Sequence, residues 1–154
     1  RDWIHNRFSW NHPVILNSRG WSASPDFLYE LVQSLEVHKC SNILEVSSGL
    51  STLVCAKWVQ NQNVESSVTS IESSKYHLEK TAKSIDNEGL SQFSQLIHAP
   101  ISEKSGVLWH DSEVLDRQLD GPYDCLIVDG PPATENKLAR FPALDVLMPH
   151  LAGH

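Results

Sequence analysis

Nothing in the 154-residue chain approaches the ~20 consecutive apolar residues that a membrane-crossing helix needs. Its opening, RDWIHNRFSW, is polar and aromatic and lacks the pattern of a secretory signal. Cysteine is scarce: Cys40, Cys55 and Cys125 are widely spaced and match neither a zinc site nor a disulfide framework. They read as reduced core residues of a cytoplasmic protein. Basic residues are also few, 12 Lys and Arg against 19 Asp and Glu, for a net charge of −7. Nucleic-acid binding is not expected of such a balance, because neutralising phosphates takes clustered cations. The eight histidines are scattered, and no pair has the spacing of a dedicated metal site. No repeat or low-complexity segment is visible.

What remains is ordinary globular composition, 40% hydrophobic and 20% charged, in a chain long enough for one domain with a real core. Residues 1–23 carry Trp3, Trp10 and Trp21 without periodicity, and are expected to form an arm on the core or over a cleft. Residues 24–154 form the domain proper. Ser24 can cap a helix, Pro25 suits its first position and Asp26 favours its positive end. Phe27, Leu28, Leu31, Val32 and Leu35 follow at helical spacing, closed by His38 and Lys39. Ile43 to Val46 reads as a buried strand, and a helix from about Ser51 runs through Val59. Val68 to Ile71 is a strand ending in Glu72, and residues 74–88 are helical with Gly89 as the stop. A third strand spans Phe93 to Ile97, a fourth Cys125 to Val128, and a last helix roughly 138–148. Strands alternating with helices at this spacing predict an α/β fold: βαβ units and a parallel sheet with flanking helices.

Ligands of an open parallel sheet bind beyond the carboxyl ends of its strands, so the strand ends carry the chemistry. The first strand runs into Glu45-Val46-Ser47-Ser48-Gly49-Leu50-Ser51-Thr52, where small residues allow close backbone approach and a helix start offers free N–H groups. The second ends in Glu72, 23 residues after Gly49, where a carboxylate can accept the hydroxyls of a ribose. The fourth ends in Asp129. A nicotinamide site would need glycines at the positions of Ser47, Gly49 and Thr52, and only one is present.

The stretch ILEVSSGLST resembles the first motif of class I S-adenosylmethionine-dependent methyltransferases, in a bacterial form reading E-x-G-S-G-x-S-T. Further segments resemble the family in order: Ser70-Ile71-Glu72, Ile97-His98-Ala99-Pro100-Ile101, Leu108-Trp109-His110-Asp111, Tyr123 to Pro132 with its Asp129-Gly130-Pro131-Pro132, and Ala139 to Leu144. The likeness covers about residues 21–154. It implies a Rossmann-like sheet and S-adenosylmethionine as cofactor. Ser47, Ser48, Gly49 and Ser51 would hold its methionine part, and Glu45 would help place its ammonium. Glu72 would bind the ribose, and His98 and Ala99 would border the adenine. Asp129 would face the acceptor as general base; in catechol O-methyltransferase-like members an acid here is a metal ligand, and the use of a divalent metal stays open. His98 and His110 are weaker base candidates. Two positions depart from the pattern. Ser47 replaces the first glycine, and Ala99 stands where many relatives have an acid for the adenine amino group.

The resemblance implies a methyltransferase acting on a small-molecule or sugar-like acceptor. A non-catalytic binding or interaction module is the alternative. The family's sheet has seven strands and this chain supplies about four, its C-terminal strands being absent. The fourth strand is then expected to be an edge that leaves apolar Leu126 to Val128 poorly covered, and to pair with a second copy in a homodimer.

Overall fold

The computed structural model describes residues 2–12, 23–62, 65–104, 106–131 and 138–153. Trp21, Pro132, His154 and most of the arm beyond His12 lie outside these residues. In chain order the elements are α1 (Asp2–Arg7), α2 (Pro25–His38), β1 (Asn42–Val46), α3 (Leu50–Gln60), β2 (Ser67–Glu72), α4 (Lys75–Asn87), β3 (Ser94–His98), β4 (Ile101–Lys104), β5 (Val107–His110), α5 (Ser112–Gln118), β6 (Cys125–Val128) and α6 (Pro142–Leu147).

Local chemistry sets these boundaries. The Ser24 hydroxyl accepts the Phe27 N–H at 3.2 Å, and Pro25 opens α2. Ser74 does the same for α4 through the His77 N–H, and Gly89, at φ +67, turns the chain out of it. Four parallel strands pair in the order β3-β2-β1-β6. β1 lies inside the sheet, with Ile43, Leu44, Glu45 and Val46 all buried. On one face Ile43, Val68 and Ile127 pack with Ile4, Leu28, Leu35, Val54 and Ile85. On the other, Leu44, Val46, Ile71 and Ile97 pack with Trp109, Leu115 and Leu147. Helices thus cover both faces of a parallel sheet, as the alternation of elements predicts. Strand order reverses between β1 and β6, and such a switch point is where open α/β sheets place their ligands.

Several expectations need correction. The leader is not wholly irregular: Asp2–Arg7 is helical, and Ile4 and Phe8 are buried in the main core. Periodicity over so few residues is invisible in sequence. The antiparallel β4–β5 hairpin and α5, capped by the Asp111 carboxylate, were not anticipated. The last helix is shorter than 138–148: residues 138–141 are turns, Pro142 opens α6, and Met148–His150 tightens into a 3₁₀ turn. Among the described residues β3 and β6 are the outer strands of this sheet, and just before β6 Tyr123 forms a parallel bridge with Leu151. Among the described residues, no helix is long and apolar enough to cross a membrane.

Candidate functional site

The site lies where β1, β2, β3 and β6 end. Ser47 follows β1, and its N–H donates to the Ile71 carbonyl at 2.8 Å. The Ser48 N–H and hydroxyl both donate to Glu72 Oε2, at 2.9 and 3.0 Å, and the Ser74 N–H donates to Glu72 Oε1 at 2.8 Å. The serine loop and the carboxylate, 24 residues apart, therefore touch directly. A carboxylate offers about four acceptor positions, so Oε1 keeps one to spare. The Ser48 hydroxyl also lies 3.3 Å from Thr81 Oγ1, and turning to it releases a second.

Glu45 sits beneath the same loop, fully buried in a strand of apolar neighbours. Its Oε2 accepts the Thr52 hydroxyl at 2.5 Å, and Thr52 Oγ1 accepts the Gly49 N–H at 2.9 Å. Backbone, hydroxyl and carboxylate thus form one chain from the mouth of α3 into the sheet. Glu45 Oε1 is buried without a hydrogen-bond partner among the described residues. Burial pushes the Glu45 carboxyl up to about 7; the Ser51, Thr52 and Ser70 hydroxyls restrain the rise and the charge of Asp129 adds to it.

Ser47 has φ +86, a left-handed conformation that costs a non-glycine residue about 1–3 kcal/mol. Its side chain is accommodated from across the switch point: a Cβ on Gly130 would stand 2.5 Å from Ser47 Cβ. Gly130 has to be glycine because Ser47 is not. A Cβ on Gly49, by contrast, would meet nothing within 4 Å, so the space before the α3 N-terminus is open.

Asp129, the half-exposed residue after β6, is engaged by Arg140, whose Nη2 donates to the Asp129 carbonyl at 2.6 Å and stands 3.4 Å from its carboxylate. The Ala99 N–H donates to the Glu72 carbonyl at 2.9 Å, so the end of β3 lies beside Glu72. Ala99 itself is buried, and His98 Nε2 lies 3.1 Å from the Ser73 carbonyl. His110 is buried with Nδ1 2.8 Å from the Ala99 carbonyl, and supports this strand end from below. The anticipated residues thus cluster at one end of the sheet. Sequence reasoning gave no role to Thr52, Ser70, Thr81, Gly130 or Arg140. Thr52, Ser70, Gly130 and Arg140 stood in the matching segments without a role of their own; Thr81 joins only through tertiary structure. Among the described residues, no three His, Cys, Asp or Glu side chains are grouped to hold a metal ion.

No family model and no curated protein matches the chain. Its fold, however, is shared with solved structures. An S-adenosylhomocysteine-bound methyltransferase from Podospora anserina superposes with a TM-score of 0.65 at 17% identity, over 97% of this chain and 53% of that one. An O-methyltransferase from Streptomyces achromogenes involved in tomaymycin synthesis, in complex with S-adenosylmethionine, gives 0.57 at 15% identity, over 84% and 59%. A Bacillus cereus O-methyltransferase in complex with S-adenosylhomocysteine gives 0.55 at 18%, over 74% and 48%. The chain has the Rossmann-like fold of these methyltransferases. It spans about half of their length.

Proposed function

We propose that the chain binds S-adenosylmethionine and forms the cofactor half of a methyltransferase for a small-molecule or sugar-like hydroxyl acceptor. The observation that carries this reading is the grip of Ser48 on Glu72, with open space before Gly49 at the N-terminus of α3. The residues fit the cofactor. Glu72 keeps acceptor positions that would take the ribose hydroxyls, the first-turn N–H groups of α3 would meet a carboxylate, and Glu45 would supply negative charge for an ammonium. The bound cofactor supplies an electrophilic methyl group. The protein's part is chiefly alignment, which can account for much of the rate of an in-line displacement. Asp129 accepts the acceptor's hydroxyl proton, and Arg140 orients it.

Calorimetric titration with S-adenosylmethionine and S-adenosylhomocysteine tests the reading. Both bind at sub-millimolar concentration, and Glu72→Ala removes most of the signal. A folded sample that gives no heat contradicts it.

The second reading, a binding module without catalysis, draws on Ser47 at φ +86 and on the Arg140 contact that occupies Asp129. Methyl incorporation into a panel of catechol and sugar acceptors separates the two. The free thiols of Cys40, Cys55 and Cys125 support a cytoplasmic setting. Pairing with a second copy belongs to this proposal, and light scattering measures it.

A further inference from the structure

Glu45 is a carboxylate without a cation. Among the described residues it has no ion pair, one of its oxygens has no hydrogen-bond partner, and it is wholly buried. Three elements face it. From α3 come the Ser51 and Thr52 hydroxyls and the Cys55 thiol, from β2 the Ser70 hydroxyl, and from the end of β6 the carboxylate of Asp129. Cys55 is fully buried, and burial first, then the charge of Glu45, pushes its thiol well up, so it stays neutral. Asp129 is the only charged group among them, and it has the same sign as an ionised Glu45. Arg140 pairs with Asp129 rather than with Glu45.

Resting on the cofactor reading above, we propose that binding of a ligand carrying an α-ammonium group expels one proton from Glu45. Without ligand, burial and a neighbouring negative charge favour the neutral carboxyl, whose ordinary pKa of 4.5 is raised to about 7. A cation brought above the Ser47–Gly49 loop reverses that preference. The carboxyl O–H bond breaks, the electron pair stays on Glu45, and the proton passes to buffer. The ligand's ammonium then takes the place of the lost proton as the positive charge beside Glu45. Affinity consequently falls with acidity below pH 7, approaching tenfold per pH unit. Above about pH 8 the ligand's own amine begins to lose its proton, so affinity is greatest between these limits.

S-adenosylhomocysteine titrated at pH 6, in buffers of small and large ionisation enthalpy, counts the protons released. The expected count is close to one for the native chain. It is near zero for Glu45→Gln, with circular dichroism confirming the fold, and near zero for 5′-methylthioadenosine, a nucleoside without the ammonium. Binding of S-adenosylhomocysteine with no proton release overturns the coupling and leaves the cofactor reading standing. Equal release by methylthioadenosine overturns the ammonium as trigger. Failure of both ligands to bind overturns the cofactor reading and the coupling with it. If Glu45→Gln does not fold, the native pH profile decides: Kd rises steeply below pH 7, and Asp129→Asn moves the inflection to lower pH. A Kd flat from pH 5.5 to 7 overturns the proposal.

Discussion

Two buried glutamates, Glu45 and Glu88, sit in the same small protein and titrate in opposite directions. Burial pushes both upward. At Glu88 the Asn11 and His12 N–H groups, each 2.9 Å away, and the Lys57 ammonium at 3.1 Å outweigh burial and hold the carboxyl below its usual range. At Glu45 only hydroxyls oppose burial, and the carboxyl rises to about 7. Glu88 is satisfied by its own chain: it fastens residues 11 and 12 to α3, where Lys57 also lies over the Trp10 ring. Glu45 is only half satisfied. A buried carboxylate completed by protein groups is an anchor; under the proposal above, one left incomplete at the switch point of a parallel sheet is completed by a ligand.

The largest effect is expected from removing the anchor. Glu88→Ala strands the buried Lys57 ammonium and costs about 3–5 kcal/mol in urea denaturation at pH 7. A loss below 1 kcal/mol breaks the comparison from the anchor's side.

Glu45→Gln has the opposite sign. Because the folded pKa lies above the unfolded one, the carboxyl contributes stability below pH 4.5 that is lost as pH rises through 7. The glutamine imitates the neutral form at every pH. Without ligand it is therefore more stable than the native chain by about 3 kcal/mol at pH 8, with almost no difference at pH 4. Equal stability of the two proteins at pH 8 contradicts a strained Glu45.

Gly130→Ala places a Cβ 2.5 Å from Ser47 Cβ, and overpacking of this kind costs about 1–3 kcal/mol. Combined with Ser47→Gly, most of that cost disappears, since the nearest remaining contact is at 3.5 Å. A double-mutant cycle with no coupling shows that the two loops do not set each other's position. Smallest is Ser24→Ala, which removes the α2 cap for about 1 kcal/mol and leaves ligand affinity unchanged. A change in affinity there shows that the site is not insulated from α2.

The sequence announced Glu88 and Glu45 unequally. Glu45 and Glu72 were legible because each ends or nearly ends a short apolar run, and the spacing of those runs predicts which strand ends share an edge. Glu88 and Lys57 were not, since their pairing joins the end of α4 to a buried position of α3 and leaves no local pattern. Ser47 was visible as a departure from a glycine motif. Its remedy at Gly130 was not, because the contact bridges β1 and β6. The β4–β5 hairpin and α5 escaped because segments of four to seven residues carry too little periodicity to be distinguished from loop.

The most direct measurement is the side-chain carboxyl ¹³C shift of Glu45, followed by NMR against pH with and without S-adenosylhomocysteine. The account predicts a midpoint near 7 in the free protein, and an ionised carboxylate already at pH 6 once the ligand is bound. A Glu45 that titrates near 4.5 in the free protein, or stays protonated at pH 6 with the site filled, contradicts it.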